Sequence, residues 1–353
     1  LLGRQFYRPS PIGRFDRIEA MGLQRLSISV ALCTHNGERF IREQIRSICL
    51  QTRPPFEIVL SDDASSDGGV DLARQAVAEC NRARPEAPIA LRVLQNAAPL
   101  RVTKNFEQAV RACEGDLVAL SDQDDVWHPV RLDLMASTFE RRDDLLLLHT
   151  DARLVDGERR DLGGSLLQSL EVTPAEIAQI HGGQAFDVFL RRNLVTGATV
   201  VFRRALLQSA LPFPAEWLHD EWLATMAAAL GGVDLLPQTL IDYRQHGANQ
   251  IGARRRGLVE KVRLATASRG DTHARRVARA ERLLERLRGL GDQVAAAHVE
   301  EARRKVAHER LRAGLPAARC ARLVPVLREL WAGGYGRFGY GTRGAVRDIV
   351  ESV

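Results

Sequence analysis

The sequence predicts an α/β protein: a mainly parallel central sheet flanked by helices, followed by a helical C-terminal extension. Three observations carry that expectation. Short apolar runs alternate with helix-periodic segments from residue 27 to residue 125, a spacing that builds parallel strands covered on both faces. Two of those runs end in acid: Ile58-Val59-Leu60 leads into Ser61-Asp62-Asp63, and Leu117-Val118-Ala119-Leu120 leads into Ser121-Asp122-Gln123-Asp124-Asp125. From residue 253 the composition shifts to Arg, Ala and Leu, as in Arg254-Arg255-Arg256 and Arg303-Arg304-Lys305, which reads as helix.

The elements follow in order. Residues 1–26 form a short, partly basic extension with Pro9 and Pro11, to which no function is assigned. Residues 28–32 make a buried strand, broken by Thr34-His35-Asn36-Gly37. Segment 38–50 places Phe40, Ile41, Ile45, Ile48 and Cys49 on one helical face, with Asn36 as its N-cap. Strand 56–60, helix 70–80, strand 89–94, helix 103–113 and strand 116–121 come next. Beyond Asp125 the pattern loosens. A helix at 132–139 follows Pro129, a strand fills 145–149, and 151–190 is an irregular insertion in which Pro174 opens a helix. Strand 196–202, helix 217–230 and a strand-like 233–243 with a turn at Pro237 close this part.

The 353 residues, 45% hydrophobic and 27% charged, describe a globular chain. No uninterrupted apolar stretch approaches the roughly 20 residues that span a bilayer. The first residues lack a charged-then-apolar signal pattern, so a cytoplasmic location is expected. Cys33, Cys49, Cys80, Cys113 and Cys320 show neither CxxC nor Cys/His spacing and read as small core residues. Net charge is +6, which permits contact with polyanions, anionic lipid or nucleotide phosphates without choosing among them. No nucleic-acid-reading module is present, so no nucleic-acid partner is expected.

The acidic strand ends carry the chemistry. Three carboxylates in the four residues 122–125 repel one another, and a divalent cation with oxygen ligands relieves that repulsion. A charged turn ahead of the helix after Pro129 would use the same residues. In open α/β sheets ligands bind beyond the carboxyl ends of the strands, where both acidic runs lie. P-loop, GxGxxG and GxSxG patterns are absent, which leaves ATPase, dinucleotide and serine-hydrolase readings without their usual cradle.

The motifs Val30 to Gly37, Glu43 to Ile48, Ser61 to Gly68 and Ser121 to Trp127 resemble the family 2 glycosyltransferases of the GT-A fold. His219-Asp220-Glu221-Trp222 and Tyr243-Arg244-Gln245-His246 are similar to a subgroup that includes bacterial rhamnosyltransferases of surface-polysaccharide synthesis. The resemblance covers about residues 27–252, with 27–125 as nucleotide-binding half and 126–252 as acceptor half; 253–353 is the basic helical region.

It implies an inverting, metal-dependent transfer of a sugar, L-rhamnose from dTDP-rhamnose in that subgroup, to a cell-surface glycan or lipid-linked acceptor. Thr34, His35 and Asn36 would form the first loop around the nucleotide, and Asp63 would accept the imide N–H of uracil or thymine. An Asx-turn capping the next helix is the competing role for Asp62, Asp63 and Asp67. Asp122 and Asp124 match the DxD signature: Asp124 would bind Mg2+ or Mn2+, and Asp122 the ribose or a metal-bound water, with Asp125 behind them. Asp220 would be the general base, with Glu221 as its rival and helix capping as the bland alternative. His246 would reach the diphosphate or the metal, Gly197 would let backbone approach the donor sugar, and Trp127 and Trp222 would stack on sugar rings or pack in the core. The Arg-rich C-terminal helices fit the inner membrane face or an ordinary bundle. A sugar nucleotidyltransferase is a rival enzyme, although Thr34-His35-Asn36-Gly37-Glu38 stands where its Gly-rich basic loop would be. A non-catalytic scaffold of the same fold is the rival from another class.

Overall fold

The computed structural model describes residues 25–245 and 270–351. The first half alternates as the hydrophobic pattern requires: β1 (Ile28–Thr34), α1 (Ile41–Cys49), β2 (Glu57–Asp62), α2 (Gly69–Ala83), β3 (Ala90–Gln95), α3 (Arg101–Ala112) and β4 (Leu117–Ser121). The chain continues through β5 (Val126–Trp127), α4 (Arg131–Glu140), β6 (Leu147–Val155), β7 (Asp161–Ser165), α5 (Leu166–Ser169), α6 (Pro174–His181) and α7 (Ala185–Arg191). Then come β8 (Val201–Arg203), α8 (Leu207–Ala210), α9 (His219–Ala229) and β9 (Val233–Arg244). The C-terminal helices are α10 (Gly270–Gly289), α11 (Ala296–Ala313), α12 (Arg319–Trp331), α13 (Gly334–Phe338) and α14 (Thr342–Val350).

Among the described residues nine strands form one sheet in the order β3-β2-β1-β4-β8-β6-β9-β5, with β7 on β6. The first four strands are parallel throughout, as expected. Beyond them the sheet is mixed, because β8 runs antiparallel to both β4 and β6. Register pairs Thr34 with Asp62 and Leu32 with Ser121, so the carboxyl ends of β2, β1 and β4 lie side by side.

The period-2 alternation of β1 divides the core. Val30 and Leu32 pack with Ile41, Ile45 and Ile48 of α1 and Met135 of α4 on one face. Ala31 and Cys33 pack with Phe106 of α3, Trp222 of α9 and Leu283 and Leu287 of α10 on the other. Each fully buried Leu, Ile or Phe contributes about 1.5–3 kcal/mol. A buried Arg53–Glu140 ion pair (2.7 Å) closes the opposite end of the sheet, where Glu140 also accepts from the Leu26 N–H (2.9 Å).

Four local expectations change. Asn36 does not cap α1, whose N-cap is Phe40 without a side-chain bond; Asn36 takes a left-handed φ of 50° and accepts from the Ser66 N–H instead (2.9 Å). The strand expected at 196–202 begins as a 3-10 turn, Gly197–Thr199, before β8. Pro237 does not turn the chain: partners pass from Thr150–Leu236 to Asp151–Thr239, so Pro237 and Gln238 sit in a bulge of β9. Cys33, Cys49 and Cys113 are buried and free, but Cys320 is exposed. Pro174 does open α6, inside a capping box between Thr173 and Glu176.

Candidate active site

The site is built where three parallel strands stop. The Asp63 N–H donates to the Thr34 carbonyl (2.8 Å), binding the two strand exits together. Gln123 then ties the β1 loop to the β4 loop: its Oε1 accepts from Thr34 Oγ1 (2.7 Å) and the His35 N–H (2.8 Å), and its amide donates to the His35 carbonyl (3.2 Å). His35 Nδ1 donates to the Asp63 carbonyl (2.8 Å). Gly37 is held close: a Cβ there would come within 2.5 Å of both Thr34 Oγ1 and Gln123 Oε1.

Asp63 is nearly buried, and both its carboxylate oxygens face the start of α3, accepting from the N–H groups of Leu100 (2.5 Å) and Arg101 (3.0 Å). Carboxylate oxygens carry four lone-pair sites, so acceptor capacity remains for a ligand. The turn-capping role falls to its neighbours. Asp62 engages Ser65, and Asp67 accepts from Gly69 N–H (3.0 Å) and Glu38 N–H (2.9 Å).

The acidic loop after β4 is anchored from behind. Arg244, at the end of β9, donates to the Asp124 carbonyl (2.7 Å), the Gly157 carbonyl (2.7 Å) and Glu43 (2.6 Å). Asp125 points inward and accepts from the Arg244 N–H (3.1 Å); burial, then Asp124 and Asp122, push its pKa well up. Asp122 is pushed up to about 7, first by burial and then by the charges of Asp124 and Asp220. Asp220 sits in the first turn of α9, where the dipole favours negative charge. Its Oδ2 accepts from the Gly197 N–H (2.8 Å) and its Oδ1 from the Glu221 N–H (2.7 Å).

These groups surround one cleft of about 610 Å3, lined by Thr34, His35, Asn36, Asp63, Asp122, Asp124, Gly197 and Asp220 together with Arg39, Phe40, Asn105, Phe106, Gln123, Asn193, His219 and Tyr243. The volume suits a nucleotide-sized ligand. Asp122 and Asp124 supply hard oxygen donors whose mutual repulsion a divalent cation would relieve, and the donor set therefore fits one.

Residues 29–206, half of the chain, match the family model described as Glycosyl transferase family 2. The chain belongs to glycosyl transferase family 2. This family 2 chain is similar, at 26% identity over 230 residues, to an uncharacterized glycosyltransferase of Nostoc sp., covering 64% of the chain and 66% of that protein. An uncharacterized protein of Mycobacterium tuberculosis is 25% identical over 224 residues, 62% of this chain and 59% of its own length. The chain thus spans about three fifths to two thirds of these relatives. Among solved structures, S. aureus TarS residues 1–349 in complex with UDP-GlcNAc aligns with a TM-score of 0.55 at 17% identity, over 92% of this chain and 90% of that one. That likeness is one of fold, a GT-A arrangement of open mixed sheet and flanking helices.

Within this family 2 chain, three expected contacts fail. Trp222 is fully buried and donates from Nε1 to the Ala210 carbonyl (2.7 Å), so it packs the core and faces no sugar. Trp127 is buried too, its ring covered by the Arg131 guanidinium at 3.8 Å. Glu221 turns from the cleft to pair with Arg279 of α10, which removes it as rival base and as acceptor contact. His246 lies outside the described residues.

Two contributors escaped the sequence reading. His219 is buried, its ring stacked on Phe106 (3.9 Å, 13° between planes); among the described residues neither ring nitrogen has a hydrogen-bond partner. Burial lowers its pKa, so it lines the cleft as a neutral imidazole. Arg244 is the other. Its place in the motif after β9 was visible, but its reach to the acidic loop is a long-range contact that only folding reveals.

Proposed function

We propose that this chain transfers a sugar, with inversion, from a nucleoside diphosphate donor to a hydroxyl of a bacterial cell-surface glycan or its lipid-linked precursor. The observation that carries the proposal is that Asp63, Asp122, Asp124 and Asp220 line one cleft. Asp63 accepts the imide N–H of the base, which selects uridine or thymidine donors. The motifs of the subgroup favour dTDP-rhamnose, and the fold likeness to TarS bound to UDP-GlcNAc favours a uridine donor; both bases present the same imide. Residues 27–125 then form the donor half, with Thr34, His35 and Asn36 against the nucleoside, and 126–252 the acceptor half.

Asp124 and Asp122 would hold Mg2+ or Mn2+, and the bound cation would neutralise the charge of the departing diphosphate. Asp220 takes the proton of the acceptor hydroxyl as it attacks the anomeric carbon. The Gly197 N–H fixes the orientation of that carboxylate and leaves its other lone pairs to the acceptor. His219, neutral and with neither ring nitrogen hydrogen-bonded among the described residues, would bind a hydroxyl of the donor sugar.

A panel of dTDP-, UDP- and GDP-sugars, assayed with Mn2+ for release of nucleoside diphosphate, tests the reading. Turnover of uridine or thymidine donors, lost in D124A, is the expected result. Absence of binding to UDP and dTDP alike would favour a scaffold.

A further inference from the structure

Among the described residues eleven large apolar side chains are exposed, and seven of them fall between Leu323 and Val350. That concentration marks a surface rather than scatter. On α12, Leu323, Val324, Leu327 and Trp331 recur at the spacing of one helix face, an arc of about 100°. Trp331 is 88% exposed. The adjoining side of α12 packs inward through Val326 and Leu330, so the fold covers one flank of the helix's apolar surface and leaves the other exposed. α14 packs beside α12 and leaves Val346 and Val350, one turn apart, exposed as well.

Charge frames this surface. On the helical wheel Arg319 and Arg328 border the α12 stripe on its two sides, and Arg343 precedes Val346 by one turn. Among the described residues none of the three is paired with a carboxylate. The acids of the same stretch are used elsewhere: Glu329 holds His308, Asp348 holds Arg312, and Glu351 pairs with Arg347.

We propose that α12 and α14 seat on an anionic lipid bilayer, with Leu323, Leu327 and Trp331 in the interfacial layer and the bordering guanidinium groups on lipid phosphates. Charge complementarity selects this occupant, since the face offers cations and apolar area and no free acid for a basic partner. Tryptophan suits the boundary between apolar and wet layers. At 13 residues α12 is too short to cross a bilayer and suits lying on one. The inference rests on the proposed lipid-linked acceptor in that it brings the enzyme to where such an acceptor resides.

The test is cosedimentation of the full chain with phosphatidylcholine vesicles, with and without phosphatidylglycerol. Binding is expected only to the phosphatidylglycerol vesicles, weakened by salt. It should fall about 10-fold or more in L327S/W331S and comparably in R319Q/R328Q. Both variants change exposed side chains that do not line the cleft and should hydrolyse donor in solution as the parent does. Equal binding by L327S/W331S, or no binding to anionic vesicles, overturns the proposal. So does dimerisation in solution that the same variants abolish, which would make the face a contact between two copies. Vesicle binding intact in a protein that turns over no nucleotide sugar would refute the proposed activity and leave this surface standing.

Discussion

Two groups of acids in this chain meet opposite treatment. In the cleft, Asp122, Asp124 and Asp220 crowd together, and among the described residues no cationic side chain is paired with Asp122 or Asp220. Burial first, and then the charges of Asp124 and Asp220, raise the proton affinity of Asp122, to a pKa of about 7. Among the C-terminal helices Glu309 and Asp348 are buried more deeply, yet both titrate below their usual range. Burial would raise them; Lys305 and Arg312 outweigh it. Arg312 clasps Asp348 through two bonds (2.6 and 2.9 Å), and Tyr335 donates a third (2.7 Å). Acid that the fold neutralises joins α11 to α14. Acid that the fold leaves in repulsion costs stability.

The largest effect is expected at Asp220. D220N keeps the bond from the Gly197 N–H, gives up the one from the Glu221 N–H and removes the base, so sugar transfer should fall about 10^3-fold with only a small change in melting temperature. A loss of stability instead of activity would make Asp220 a capping residue. The opposite pattern is expected in R312A: a loss of about 3–5 kcal/mol from an uncompensated buried charge, with turnover per folded molecule preserved.

The two groups should also diverge with pH. The pKa of Asp122 is raised on folding, so its ionisation destabilises the fold as pH climbs above the unfolded value of about 4, fully so above 7. D122N should therefore raise the melting temperature of the metal-free protein at pH 8 and do progressively less toward pH 4. For Asp348 the sign reverses. Its depressed pKa stabilises the fold above about 4 and that contribution is lost on acidification, so D348N should lower the melting temperature at pH 7 and flatten the acid limb. Calorimetric scans across pH check both. The smallest effect is sought at His219. H219F retains the stack on Phe106 and removes both nitrogens, and about a 10-fold rise in donor KM with little change in stability is expected.

What was legible in the sequence follows the same physical divide. β1 to β4 could be read because each strand and helix declares its own period, and the parallel register then brings Asp63 and Asp122 to one edge. Asp220 was placed by its motif, and the fold delivers it to the same cleft. Pairwise side-chain geometry was not legible. Whether Trp222 faces a sugar or the core depends on α8 and α9 packing, and Glu221 is removed by a partner 58 positions along the chain, Arg279. The N-cap expected at Asn36 failed because α1 begins only at Ile41, and in the loop the Asn36 oxygen accepts from Ser66. Segment 151–190 lacked one period because it holds the end of β6, the short β7 and three short helices, two of them, α5 and α6, opened by side-chain capping boxes.

The most direct test of the account is calorimetric titration of UDP and dTDP into the parent protein and D122N/D124N, each with and without Mn2+. Nucleotide binding that requires the cation in the parent and vanishes in the double variant is the predicted result. Binding of equal strength in both proteins, indifferent to Mn2+, would contradict the proposal that Asp122 and Asp124 hold a metal-bound diphosphate.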